Sequence, residues 1–205
     1  AGLQQSKFVL IDIEASPIGV NFDATQKILI HIANPFTAIF VPFKKYIYKM
    51  SIQIGSPAPA FTLFNSEKAE VSLSQFIGKN VVILFYPQAF TSVCTEELCS
   101  MRDNLKEYEA LNAEILAISV DSVFTLDNWK TQQGYNFQML SDFNKEVSTA
   151  YDSIYETFAF GMKGVSKRSA FVIDKEGIVQ HAEILDNAGE MPNLEQIKAV
   201  LLTLN

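Results

Sequence analysis

Cysteine is scarce in this chain: Cys94 and Cys99 are the only two among 205 residues. A secreted scaffold stapled by disulfides carries more thiols in a shorter chain, so that class is excluded. Histidine is as sparse. His31 and His181 are isolated, and no Cys/His/Asp cluster has metal-ligand spacing, so no metal site is expected. Clustered positive charge is also missing. The net charge is -7, and it is unevenly placed: residues 1–49 hold five lysines against three acids, whereas residues 50–205 hold 11 basic against 20 acidic side chains. An acidic body without a Lys/Arg stripe excludes nucleic acid as a partner. No apolar run approaches the roughly 20 residues that span a bilayer, and the N-terminus lacks the features of a secretory signal. No membrane partner is expected, and cytoplasmic residence is. There is no Gly-rich phosphate loop. Asp186-Asn187-Ala188-Gly189-Glu190 reads as a plain turn before a final helix, and Glu107 to Glu114 as a solvated helix face.

What is present is an ordinary core-forming composition, 48% hydrophobic and 19% charged, fitting one main domain. Residues 1–49 read differently from the rest, with alternating stretches at 11–14 and 28–32 that suit two half-buried strands. This N-terminal extension is either a natural short hairpin or an artefactual, partly disordered segment ahead of a natural start at Met50. The second reading is favoured. The domain proper is therefore 50–205. Pro57 and Pro59 restrict an extended lead-in to a first strand near Phe61-Thr62-Leu63, followed by a small hairpin. Val81-Val82-Ile83-Leu84-Phe85-Tyr86 is a continuous apolar run, the mark of a central strand buried on both faces. Pro87 ends it. The pattern predicts a helix from about Ser92 to Leu111, a strand over 115–120, a helix over 123–133, a short strand over 137–140 and a short helix over 145–151. A strand pair over 170–173 and 179–184 crosses the Asp174-Lys175-Glu176-Gly177 turn, and a helix over 194–204 closes the chain. The order implies an α/β fold, a mixed central sheet with helices on both faces.

The chemistry concentrates in Pro87-Gln88-Ala89-Phe90-Thr91-Ser92-Val93-Cys94-Thr95-Glu96-Glu97-Leu98-Cys99, just past the central strand, where open α/β sheets place their ligands. Thr91 or Ser92 can cap the following helix and leaves Cys94 in its first turn, where unpaired N–H groups and the positive dipole end favour an anionic sulfur. Such a thiolate can attack the weak O–O bond of a hydroperoxide. The departing oxygen develops negative charge, so the site must donate hydrogen bonds; no metal or organic cofactor is required.

Pro87, Thr91 and Cys94 match the Pro-x-x-x-Thr-x-x-Cys motif, and Glu97 the acidic residue three positions on, so that residues 50–205 resemble the peroxiredoxins. The likeness includes Ala58-Pro59-x-Phe61, Ser119-Val120-Asp121-Ser122 and Arg168-Ser169-Ala170-Phe171-Val172-Ile173-Asp174. Within the family it is nearest the bacterial alkyl hydroperoxide reductase E and bacterioferritin comigratory protein groups. The resemblance implies a thioredoxin-like fold and a thiol-dependent peroxidase acting on hydrogen peroxide and organic hydroperoxides. Cys94 is then the peroxidatic cysteine. Thr91 bonds thiolate and peroxide, Pro87 shields the pocket, Arg168 stabilises the thiolate and transition state, and Glu97 orients that arginine. Trp129 resembles an aromatic that some members place near the pocket and is left outside the catalytic set. Thioredoxin or another thiol reductant is the implied partner, and a homodimer the implied assembly.

Cys99 matches the position at which the bacterioferritin comigratory protein group carries a resolving thiol. Five residues along an ideal helix separate Cα atoms by roughly 8.6 Å, beyond the reach of about 7 Å for a disulfide. Cys99 therefore resolves Cys94 only if the first helical turns unwind; otherwise it is a structural thiol. Two other functions compete. A disulfide oxidoreductase needs Cys-x-x-Cys, which is absent. A peroxide sensor or holdase would use the same thiol without rapid turnover.

Overall fold

The computed structural model describes residues 52–205. The expectations for residues 1–49, including the two strands, Met50 and His31, lie outside the described residues. Nine strands and five helices follow in the order β1 (Thr62–Asn65), β2 (Glu70–Ser72), β3 (Asn80–Phe85), α1 (Ser92–Asp103), α2 (Leu105–Ala110), β4 (Ala113–Ser119), α3 (Val123–Gln133), β5 (Gln138–Ser141), α4 (Glu146–Ala150), β6 (Ile154–Tyr155), β7 (Val165–Ser166), β8 (Ser169–Ile173), β9 (Val179–Ile184) and α5 (Leu194–Thr203). Seven strands form one sheet in the order β2-β1-β5-β4-β3-β8-β9, while β6 and β7 pair separately.

All six residues of β3 are buried, because it lies between β4, which runs parallel to it, and β8, which runs antiparallel. Its alternating side chains feed two cores. Val82 and Leu84 face one that also takes Leu98 and Met101 of α1, Leu126 and Trp129 of α3, and Ile197 and Leu201 of α5. Val81, Ile83 and Phe85 face the other, covered by Val147 of α4, Tyr151 and Leu73. Helices thus cover both faces of a mixed sheet, as the strand pattern predicts. The uninterrupted apolar run was the right signal, since a strand covered on both sides has no polar alternation.

The structure departs from the sequence pattern in two places. The helix predicted over Ser92–Leu111 is two helices, broken at Asn104 (φ -104°, ψ 10°), whose amide donates to the Ser100 carbonyl at 2.8 Å. Asparagine competes with the backbone in this way and disfavours a helix interior. The β6–β7 pair was not anticipated, its strands being two residues each.

Phe85 is fully buried, with its ring 5.4 Å from Tyr151 and 5.9 Å from Phe171. Phe85→Ala is expected to destabilise the protein by about 3–5 kcal/mol, read as a lower urea midpoint; a loss under about 1 kcal/mol would show that this face carries little of the stability.

Candidate active site

The segment after β3 is fixed before any chemistry begins. Asp121, past the end of β4, accepts from Ala89 N–H and from Ser119 Oγ, both at 2.8 Å. Burial pushes the Asp121 carboxyl up, against those two hydrogen bonds. Phe90 takes a left-handed conformation (φ 63°), which turns the chain into Thr91 at the N-cap of α1. Thr91 occupies the capping position but its hydroxyl does not cap: it donates to the Gln88 carbonyl at 2.9 Å. The Thr91 carbonyl accepts from Thr95 N and Thr95 Oγ1 instead, closing the first turn.

Cys94, third in α1, is 1% exposed. Arg168, immediately before β8, reaches across from the neighbouring strand and is equally buried. Its Nη2 donates to Cys94 Sγ at 3.2 Å and to the Ala188 carbonyl at 3.0 Å, and Nε donates to that carbonyl at 3.2 Å. Nη1 donates to Glu97 Oε2, one turn beyond Cys94. Glu97 Oε1 is buried with no hydrogen-bond partner. Burial therefore pushes the Glu97 carboxyl up, to about 7, against the attraction of Arg168. Burial alone would lower Arg168; the negative charges of Glu97 and Cys94 outweigh it and hold the guanidinium charged.

A cavity of about 200 Å³ opens above the sulfur, with Pro87, Thr91, Val93, Phe158 and Ala188 in its wall. The described surface has a larger cavity, about 470 Å³, beside Phe64, Phe124 and Phe143, but it holds neither cysteine nor arginine. The smaller one is the candidate site. Among the described residues, no group of three or more His, Cys, Asp or Glu side chains could hold a metal ion.

The structure brings Cys94, Arg168 and Glu97 into direct contact, and places Pro87 and Thr91 at the cavity wall. Cys99 lies outside this cluster. It is half-buried later in α1, with Sγ 3.8 Å from Gln133 Oε1, and neither cysteine is in a disulfide. Trp129 does not line the cavity. It is fully buried in the core, its ring 5.8 Å from Phe90 and 5.5 Å from Tyr86. The segment read as a plain turn is more than that, because Ala188 supplies the carbonyl that receives Arg168. Phe158, between β6 and β7, was also missed. A main-chain carbonyl and a loop phenylalanine leave no motif.

A cysteine sulfur against a buried guanidinium, at the carboxyl end of a central parallel strand, is an arrangement suited to a thiol-based redox enzyme. A model of the AhpC/TSA family matches residues 54–182. Alkyl hydroperoxide reductase E of Mycobacterium tuberculosis is 40% identical over 136 residues, covering 65% of this chain and 86% of that protein. The chloroplastic 2-cysteine peroxiredoxin of Chattonella marina var. antiqua is 38% identical over 146 residues, covering 66% and 72%. Among solved structures, peroxidoxin BcpB of Mycobacterium tuberculosis superposes with a TM-score of 0.67 at 25% identity, covering 75% of this chain and 99% of that one. Peroxiredoxin Q of Xanthomonas campestris does so with 0.63 at 30%, covering 70% and 90%. The chain belongs to the AhpC/TSA family, as a peroxiredoxin with the thioredoxin-like fold.

The buried carboxyl makes stability depend on pH. An unfolded glutamate titrates near 4.3, whereas Glu97 in the folded chain titrates at about 7. Between these values the folded state holds a proton that the unfolded state has lost, so stability falls as pH rises. The contribution is complete below the unfolded value and gone above the folded one. Urea midpoints of the parent are expected to decline relative to Glu97→Gln as pH rises through this window; a rise would reverse the assignment.

Proposed function

We propose that Cys94 is the peroxidatic cysteine of a thiol-dependent peroxidase for hydrogen peroxide and organic hydroperoxides. The observation that carries the reading is Arg168 Nη2 at 3.2 Å from Cys94 Sγ, at the floor of a cavity. The thiolate attacks one peroxide oxygen, an S–O bond forms and the O–O bond breaks. Sulfur is oxidised by two electrons to sulfenic acid while the hydroperoxide is reduced to water or an alcohol, the departing oxygen taking up a proton. Arg168 supplies fixed positive charge where negative charge moves from sulfur to oxygen, and low polarity around it strengthens that attraction. Glu97 holds the guanidinium in this orientation. The Thr91 hydroxyl donates its hydrogen bond to the Gln88 carbonyl, so its lone pairs are available to accept the O–H of an incoming peroxide. Pro87, Val93 and Phe158 give the cavity an apolar side that suits a carbon substituent.

The sulfenic acid is next resolved by Cys99: the thiol attacks Cys94, an S–S bond forms and water leaves. Ideal helix geometry keeps the two Cα atoms roughly 8.6 Å apart, so the first turn of α1 must open. Its start lacks a side-chain cap, which makes that opening less costly. A dithiol reductant such as thioredoxin then supplies two electrons and two protons. The active domain is residues 50–205, with 1–49 an extension, acting in the cytoplasm as a homodimer. Among the described residues no helix is long and apolar enough to cross a membrane.

Peroxide-dependent oxidation of a thioredoxin system is expected to fall to background in Cys94→Ser. In Cys99→Ser the first oxidation persists while turnover falls at least about tenfold. Mass spectrometry of the peroxide-treated parent is expected to show a 94–99 disulfide. Full turnover by Cys94→Ser would refute the reading; a persistent sulfenic acid in the parent would remove only the role of Cys99.

A further inference from the structure

Phe158 lines the cavity over Cys94 from the loop between β6 and β7, and that loop is bent at an unfavourable backbone position. Two residues on, Phe160 is left-handed (φ 57°) although it carries a β-carbon, and Gly161 follows at φ 73°. A bulky residue in this region is strained, and such strain persists only where the surroundings impose it. Packing of the Phe160 ring does not offset it, since that residue is 99% exposed. What the turn achieves is placement. Phe158 N–H donates to the Met162 carbonyl at 2.7 Å, and Gly164 N–H to the Tyr155 carbonyl at 3.0 Å, closing the loop on itself. The Phe158 ring lies 5.1 Å from that of Tyr155, whose hydroxyl donates to the Asp186 carbonyl at 2.9 Å. The reversal also brings Met162 back to the segment after β3, where its Sδ accepts from Gln88 Nε2 at 3.3 Å. Gln88 stands between Pro87 and Thr91, two further residues of the same cavity wall. The contact therefore ties the loop that carries Phe158 to the segment that carries Pro87 and Thr91.

We propose that Phe158 is the specificity-determining residue for the carbon substituent of an alkyl hydroperoxide, and that Met162 is a positioning residue that holds it there through Gln88. Given the peroxidase role of Cys94, on which this rests, the two substrate types differ in what they touch. Hydrogen peroxide brings only oxygens and their hydrogens to Cys94. An alkyl hydroperoxide brings an apolar group as well, and about 200 Å³ leaves room for a compact one. That group leaves water when it packs on the Phe158 ring, a gain that hydrogen peroxide does not share. Loss of the Gln88–Met162 contact frees Phe158 to leave the wall. Cys94, Arg168 and Glu97 keep their mutual contacts, because none of these runs through Met162.

The test is the rate of Cys94 oxidation by tert-butyl hydroperoxide and by hydrogen peroxide, in a Cys99→Ser background, followed by quenched flow and mass spectrometry. Met162→Leu keeps an apolar side chain of similar size and removes the sulfur acceptor. It is expected to slow the tert-butyl hydroperoxide reaction about threefold to fivefold, the effect of one ordinary hydrogen bond, and to leave the hydrogen peroxide rate unchanged. Gln88→Leu removes the donor and is expected to lower the ratio of the two rates to the same extent. Phe158→Ala is expected to lower that ratio about tenfold. Adding Met162→Leu to it should lower the ratio no further, since the tie acts through the ring. Additive losses in the double variant would overturn the proposal. So would an equal fall of both rates in Met162→Leu, which reports a general disturbance around Cys94. A Cys94 that reacts with neither hydroperoxide before these changes would sink the peroxidase reading as well; one that reacts with both, at a ratio indifferent to all the variants, sinks this proposal alone.

Discussion

The guanidinium of Arg168 is removed from water and divided between a carboxylate, a carbonyl and a sulfur, and the arrangement of the site follows from that burial. An ion of this size is costly to desolvate, so its donors must be matched by acceptors. Glu97 and Ala188 take most of them, leaving Nη2 aimed at Cys94. The three acceptors come from α1 and from the loop after β9, so one interaction ties helix, sheet and loop together. Breaking a buried pair of this kind by removing one partner typically costs about 3–5 kcal/mol. Burial of Glu97 works against the pair, since it raises the titration of that carboxyl to about 7 in spite of Arg168.

The same contact explains how a small cavity suffices. Cys94 is nearly inaccessible except through the opening of about 200 Å³, so a hydroperoxide that reaches it leaves most of its water behind and meets donors already in place. That rigidity conflicts with the proposed resolution by Cys99. A sulfur locked in the first turn of α1 is well placed for peroxide and badly placed for a thiol five residues along the same helix. The conflict is eased by weak anchoring at the helix start, where the Thr91 hydroxyl serves the preceding loop rather than the helix. Strong contacts therefore hold Cys94 and Arg168, and a weaker one holds the helix start that the proposed resolution would open.

Much of this was legible in the residues. The run Val81 to Tyr86 announced a strand covered on both faces, and the spacing of Pro87, Thr91, Cys94 and Glu97 marked the segment that meets Arg168. Arg168 came from the family resemblance, carried by the stretch Arg168 to Asp174. Asn104 was a weaker signal, because its neighbours are good helix formers and only its own side chain breaks the helix. Ala188 carried no signal at all: what it contributes is a carbonyl, and every residue has one. Phe158 and the β6–β7 pair were hidden for a related reason, since two-residue strands have no periodicity to detect. Trp129, left outside the catalytic set, does not line the cavity. Its size and the facing rings of Tyr86 and Tyr135 draw it into the core instead.

Trp129 is the only tryptophan in the chain and packs against Phe90, so its fluorescence reports on the segment before Cys94. The most direct test of the central claim is a rapid-mixing measurement of this signal on adding hydrogen peroxide to Cys99→Ser protein with Arg168 or with Arg168→Lys. Lysine keeps a positive charge but cannot serve Glu97, Ala188 and Cys94 together. The account predicts a second-order rate constant lower by about a hundredfold or more for the lysine variant, the usual loss when a donor to a developing negative charge is removed. Equal rates in two folded proteins would contradict it.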